Sequence, residues 1–559
     1  MTTVERKPLI AASSMGDCIH LAGVLNFLRL AESCGYRTVL LGQALSPEEI
    51  VEKARGHNPD ILAIGYRLSP GPARRLLERL EASLDASGFR PRLVFGGTPP
   101  VAEVARTSGL FEAVFSGLED VDDVVAYLKG QKTARDERDY PSSLVERIRW
   151  KEPYPLIRHH FGLSSLEETV EGVRKIAEAR VVDVISLGPD QNAQESFFRP
   201  EEMDPDQDGA GGVPVRTAGD FRRLYAASRC GNFPLMRCYS GTRDVLRFAE
   251  LLKDTIDNAW AAIPLFWYNV LDKRGPRGVE ESIREAQAAM RWHAERGIPV
   301  EVNEAHHWSL RDAPDSVAVA AAFLAAYNAK RAGVRDYVAQ FMWNTPPGTS
   351  AVMDTGKMLA KLELIESLAD DGFRIWKQVR AGLSSFPADL ALAKGHLGFS
   401  TLVSMSLKPH IVHVVGFCEG HHAATAEDVI ESAKIARGVI RNCLDGMADM
   451  TRDARVQERK EELLEEARVI LNALKEIAPS GVEDPWSDPY TLAKSVEIGI
   501  MDAPQLRGNP AAKGAVVTRM VGGACRAVDP RTGRPIDEEE RIGRILEDVR
   551  KAALARLPA

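Results

Sequence analysis

Short apolar runs, each followed by an amphipathic helical stretch, recur through most of this chain, and that alternation constrains its fold more than any single motif. In the first 130 residues the runs are Leu9–Ala12, Thr38–Leu41, Ile61–Gly65, Leu93–Phe95 and Ala113–Phe115. Helical patterns such as Ser46–Arg55, Pro72–Leu84 and Val101–Ser108 lie between them. Strands that alternate with helices predict a doubly wound α/β parallel sheet with helices on both faces. The loops after successive strands then gather at one sheet edge. That edge brings together His20, the segment 66–70 and the segment 96–98.

A sheet of this length suits five strands in a flavodoxin-like order. From about residue 160 to 480 the alternation resumes with longer helices. Its strand candidates are Val182–Leu187, Leu235–Cys238, Ala262–Phe266, Val300–Val302, Tyr337–Met342, Thr401–Met405 and Ile411–Val415. Six to eight such units predict a (β/α)8 TIM barrel with its active site at the strand C-termini. The domains expected are a sheet domain at 1–130, a charged linker at 131–155, a barrel at 156–480 and an extension at 481–559 that completes the barrel.

Composition excludes several classes. The net charge of -8 offers no basic stripe for nucleic acid. No apolar run reaches membrane-span length, and Met1–Lys7 does not read as a signal peptide. Seven scattered cysteines without metal-type spacing suit a reduced, cytoplasmic protein. The adjacent His159 and His160 face different ways on a strand or a helix, which makes them a poor metal pair.

The stretch Gly16-Asp17-Cys18-Ile19-His20-Leu21-Ala22-Gly23 follows the first strand candidate and opens a helix. It resembles the corrinoid-binding signature Asp-x-His-x-x-Gly, with Asp17 one residue further from the histidine than the signature has it. Two more elements follow in the order known from the corrinoid domain of methionine synthase and the coenzyme B12 mutases. Tyr66-Arg67-Leu68 stands for Ser-x-Leu, and Gly96-Gly97 for Gly-Gly. The resemblance implies that His20 is the lower cobalt ligand and the metal-binding residue. It also implies that Asp17, Gly23, Tyr66, Leu68, Gly96 and Gly97 contact the cofactor, with the Tyr66 ring crowding the slot for its nucleotide tail.

The barrel region resembles the large (epsilon) subunit of glutamate mutase, also called methylaspartate mutase. Pro234–Asp244, Tyr268-Asn269-Val270, Gly297–Glu304 and Glu497–Pro504 carry the likeness, patchily, across residues 180–525. It implies an adenosylcobalamin-dependent radical isomerase acting on a small carboxylate-bearing amino or hydroxy acid, with a homodimer in prospect. Arg237 would grip the carboxylate, although a gapless match puts Tyr239 at that place. Glu304 would meet the amine or its proton, and Tyr268 and Asn269 would contact substrate. Gln194 stands where a second carboxylate-binding arginine is expected, which argues against glutamate as substrate. Cys418 and His422 replace residues near the adenosyl ribose. Together with His421 they would make a polar cluster, with metal ligation the less favoured reading. Two alternatives stay open: a corrinoid-dependent methyltransferase, and a non-catalytic corrinoid carrier or sensor.

Overall fold

The computed structural model describes residues 7–119, 121–130 and 136–554, in two compact units divided between Asp136 and Glu137. In the first unit five strands, β1 (Leu9–Met15), β2 (Arg37–Leu45), β3 (Ile61–Gly65), β4 (Arg92–Gly96) and β5 (Ala113–Phe115), form one parallel sheet. Its order is β2-β1-β3-β4-β5. Both faces are covered, so β1 and β3 read as continuous apolar runs rather than alternating ones. Ala11 and Leu62 face a core with Leu77 and Phe95, while Ile10 and Ala12 face another with Val24 and Leu28. Prolines at or near the first helical position start the helices Pro47–His57, Pro70–Ser87 and Pro99–Ser108, where the missing N–H costs nothing. A capping box between Ser46 and Glu49 fixes the first of these.

The second unit is built on eight parallel strands: β6 (Leu156–Phe161), β7 (Val184–Leu187), β8 (Leu235–Cys238), β9 (Ala261–Ile263), β10 (Val300–Val302), β11 (Asp336–Trp343), β12 (Arg374–Ala381) and β13 (Ile411–Val414). Their order, β8-β7-β6-β13-β12-β11-β10-β9, wraps the sheet into a nearly closed, TIM-like barrel. The remaining seam, between β8 and β9, is bridged by Ala259 N–H donating to Met236 C=O at 2.9 Å. Cys238 N–H also donates to Asn258 Oδ1 there, at 3.0 Å. A short hairpin, β14 (Thr518–Val521) and β15 (Ala524–Ala527), belongs to the C-terminal part.

Three expectations change. Thr401–Met405 is no strand: it ends the helix Leu390–Ser404, whose buried Ala393, Leu397, Ser400, Thr401 and Ser404 follow a helical period. In its place β6 and β12 complete the barrel. Both were hidden by charged and histidine residues at inward positions. Part of the expected linker is also folded, while residues 131–135 lie outside the described ones. The helix Leu144–Lys151 puts Leu144, Arg147 and Ile148 on one face. Leu144 and Ile148 join Leu156, Val184, Leu235, Val338 and Ile411 in an apolar plug at the strand N-termini. Its charges lie on the other face, apart from buried Arg147, which donates to Pro141 C=O at 2.8 Å and Phe233 C=O at 3.1 Å.

No described helix is long and apolar enough to cross a membrane.

Candidate functional site

In the first unit the candidate residues stand at the C-terminal ends of three adjacent strands, β1, β3 and β4. Gly16, at φ +61°, turns the chain out of β1, and a Cβ there would lie 2.6 Å from Leu76 Cδ1. His20 follows in the loop and is exposed. Its Nδ1 lies 3.8 Å from Sγ of the buried Cys18, so the neighbour of this ring is a thiol. Asp17 is exposed and makes no hydrogen bond to it among the described residues. Gly23 is exposed in the first turn of the helix Ala22–Ser33.

Tyr66 is 3 % exposed and packs with Cys18, Ala73 and Leu77. That core lies on the opposite sheet face from Val24 and the helix that His20 precedes. The ring therefore does not crowd the space between the sheet and that helix. Val24 does, since a Cβ on Gly65 would come within 2.5 Å of Val24 Cγ2. Gly97 is required by close approach, because its Cβ would lie 2.5 Å from Tyr66 C=O. Gly96 meets no such neighbour. Leu68 points outward at 44 % exposure. Beside these loops, a cleft of about 450 Å³ is lined by Asp17, Glu49, Tyr66, Arg75 and Arg79, among others.

In the second unit the strand C-termini surround a cavity of about 260 Å³. It gathers Arg237, Tyr268 and Gln194, as the sequence led us to expect, and Tyr239, the alternative to Arg237. Arg237 is 1 % exposed, and none of its three guanidinium nitrogens has a hydrogen-bond partner among the described residues. Its nearest carboxylate is Glu301, at 3.8 Å, and its guanidinium lies 4.8 Å from the Trp260 ring centroid. A buried guanidinium with all its donors idle is costly unless a ligand satisfies them. Gln194 donates to Pro189 C=O at 2.8 Å. Burial pushes the Tyr268 phenol up to about 12, so it is a neutral donor.

Two expected contacts lie elsewhere. Glu304 is fully buried and does not line the cavity. One carboxylate oxygen accepts from Leu265 N–H at 2.9 Å and Phe266 N–H at 3.1 Å, the other from Trp308 Nε1 at 2.8 Å. It ties the β9 exit to the short helix Ala305–Ser309, a positioning role. Asn269 is likewise used up, donating to Phe266 C=O at 2.9 Å and Ser282 Oγ at 2.6 Å and accepting from Leu271 N–H.

The carboxylate that does face the cavity is Glu301, from β10. Trp260 Nε1 donates to it at 2.8 Å, and Arg158 lies 3.5 Å away. Arg158 also donates to Ser186 Oγ at 2.7 Å and Gln378 Oε1 at 2.6 Å. Arg380, 9 % exposed, donates among the described residues only to Ala381 C=O, and burial lowers its pKa. His160, His306 and His307 complete the lining, and burial holds all three well below the usual imidazole range, hence neutral. His160 Nε2 accepts from Tyr239 Oη and Arg158 Nη2, both at 3.0 Å.

The sequence reading did not single out Arg158, Glu301 or Arg380, and it gave His160 no role. A signal was present: Arg158 and His160, Arg237 and Tyr239, and Gln378 and Arg380 each stand two residues apart, the period of one strand face. Polar pairs at that spacing mark an inward face that is wet or ligand-bearing.

No protein-family model and no curated protein matches this chain. Among solved structures it is similar to the apo, selenomethionine-labelled cobalamin-dependent S-adenosylmethionine radical enzyme OxsB. The identity is 11%, with 89% of this chain and 74% of that chain covered and a TM-score of 0.17. A similarity at that score carries no argument.

Proposed function

We propose that this chain is an adenosylcobalamin-dependent radical isomerase, of the carbon-skeleton mutase kind, acting on a small carboxylate-bearing amino or hydroxy acid. The observation that carries the substrate class is Arg237: a buried guanidinium with no hydrogen-bond partner, facing a cavity at the barrel's C-terminal end. A carboxylate is the ligand that a planar two-donor fork accepts best. Arg380 supplies a second cation to the same cavity. It meets the objection that Gln194 leaves a second carboxylate uncompensated, so substrates with two acid groups return to consideration.

The cofactor reading rests on the resemblance of the first unit, a flavodoxin-like corrinoid domain in this view. The residues present fit it in donor chemistry. His20 is exposed, its ring makes no hydrogen bond to a carboxylate among the described residues, and open space lies where a side chain on Gly96 would stand. His20 would hold the cobalt, and Gly96, Gly97 and Leu68 would border the corrinoid. Val24, closed against Gly65, would have to give way to admit a nucleotide tail. When bound, adenosylcobalamin supplies a carbon-centred radical that abstracts hydrogen from an unactivated position.

The chain's own residues bind, orient and exclude water. Arg237 and Arg380 fix the acid groups, and Tyr239 and Tyr268 present neutral phenols. The imidazoles of His160, His306 and His307 exchange hydrogen bonds with an amine or hydroxyl without adding charge. Glu301 offers the one cavity carboxylate to a substrate ammonium, and Glu304 holds the loop behind it.

The test is a visible spectrum of protein mixed with adenosylcobalamin and freed of unbound cofactor, with His20→Ala beside it. Retained colour with a base-off, histidine-on spectrum that the variant loses supports the reading. Colourless wild-type protein overturns it.

A further inference from the structure

Outside the cavity, the turn after β13 and the helix Ala426–Asp445 hold a second group of donors that the function above leaves unused. Cys418 Sγ, a His422 ring nitrogen and an Asp428 carboxylate oxygen all lie within 4.8 Å of one another. A fourth donor comes from β6. His159 is 4 % exposed, and its Nδ1 meets His160 C=O at 2.5 Å. That contact fixes the tautomer: Nδ1 carries the proton, and Nε2 is left with a lone pair. His159 Nε2 is buried and has no hydrogen-bond partner. A methyl group on Gly416 would lie 3.2 Å from Cys418 Sγ and 3.5 Å from His159 Nε2. The two atoms therefore flank one point, which the absence of a side chain at Gly416 leaves clear.

We propose that Cys418, His422 and Asp428, with His159 Nε2 as the fourth donor, form a binding site for a divalent cation of the zinc class. One sulfur, two imidazole nitrogens and one carboxylate make a mixed set that suits a borderline-soft ion with four-fold coordination. Tetrahedral zinc sets its donors roughly 3.3–3.7 Å apart, so the ion draws Cys418, His422 and Asp428 closer than the 4.8 Å within which they lie, and His159 Nε2 approaches from the Gly416 side. The supporting contacts are in place. Asp428 Oδ2 accepts from Thr425 N–H at 3.0 Å and from Thr425 Oγ1 at 2.7 Å, and among the described residues Oδ1 accepts no hydrogen bond.

His422 Nε2 now meets Asp428 Oδ2 at 3.0 Å, and His422 Nδ1 meets His421 Nδ1 at 2.9 Å. The ion replaces the first of these contacts. Binding forms a metal–sulfur bond and releases the Cys418 thiol proton to water. The thiolate and the Asp428 carboxylate then balance the two positive charges. The clamp joins β6 to β13, the first and last strands of the barrel, and to the helix that follows.

The experiment uses the full chain free of corrinoid, with Co(II) as the spectroscopic probe and zinc content measured after dialysis. We expect about one equivalent of zinc per chain. The Co(II) form should show tetrahedral ligand-field bands and a thiolate-to-metal charge-transfer band. Cys418→Ser should abolish the charge-transfer band, whereas Cys443→Ser should leave it. His159→Gln should weaken binding by about 10- to 100-fold. His422→Gln, at an exposed position, gives the same reading if Cys418→Ser fails to fold. A charge-transfer band that survives both Cys418→Ser and His422→Gln overturns the proposal, and so does wild-type protein that takes up no zinc and shows no such band.

Discussion

The C-terminal strand ends of the two units solve different problems. In the first unit, His20 and Leu68 are exposed and the tight spots are at glycines: Gly16 against Leu76, Gly65 against Val24 and Gly97 against the Tyr66 carbonyl. In the second, the strand ends enclose buried charge: Arg158, Arg237, Arg380 and Glu301 line one cavity, and Arg237 has no hydrogen bond. The first edge is open to solvent at His20 and Leu68. The second is preorganised, with donors fixed before a ligand arrives, which spares the cost of ordering them on binding. Opposite the cavity, the strand N-termini are sealed by the apolar plug around Leu144, Ile148 and Trp260.

The largest test separates a ligand-seeking arginine from a structural one. Arg459 is as buried as Arg237, but two of its three guanidinium nitrogens donate to carboxylates, to Asp315 at 2.9 Å and to Glu462 at 2.7 Å. Replacing Arg459 with Met strands part of that network and should destabilise the chain by about 3–5 kcal/mol, read as a lowered urea midpoint. Arg237→Met removes a guanidinium with idle donors, so the midpoint should hold or rise. Affinity for small carboxylic acids in calorimetry should meanwhile fall by about 10²- to 10³-fold. Equal destabilisation by both substitutions breaks the comparison.

A middle-sized effect concerns Glu304. Burial pushes its carboxyl up to about 7, against three donors that favour the charged form. An acid with a higher pKa folded than unfolded takes up a proton on folding between the two values. Stability from this group is therefore full below the unfolded value of 4.5, falls as pH rises towards about 7, and levels off above. The span is on the order of 3 kcal/mol. Urea midpoints from about pH 5 to about pH 8 should show that slope in wild type and not in Glu304→Gln. Parallel profiles would mean that Glu304 stays ionised throughout.

The smallest contrast is between neighbours. Asn269→Ala should cost about 1–3 kcal/mol, since it strands buried partners, yet leave ligand preference alone. Tyr268→Phe should leave stability within about 0.5 kcal/mol and shift carboxylic-acid affinity by up to about 10-fold. A reversal of the two effects would move Asn269 into the site.

Legibility followed contiguity. The first unit's strands were readable because each is a short apolar run closed by a turn, and its candidate residues follow within a few positions of those strand ends. In the barrel, β6 and β12 escaped notice because inward Arg158, His160, Gln378 and Arg380 break the apolar signal that marks a strand. Glu304 and Asn269 looked like ligand contacts by residue type and place. Which way a strand-end side chain turns depends on partners as distant as Leu265 and Ser282, and no local pattern encodes that.

By itself the sequence determined the alternation of strands and helices, the helix start near Ser46, and the loop that presents His20. These rest on local propensity and short-range periodicity. Only the tertiary structure decided that Arg237 is left without a hydrogen bond among the described residues, that Arg380 joins it from β12, and that His159 Nε2 is buried beside Gly416. Those facts depend on barrel closure, which brings residues far apart in the chain to one layer, and on burial, which makes an unmet hydrogen bond matter.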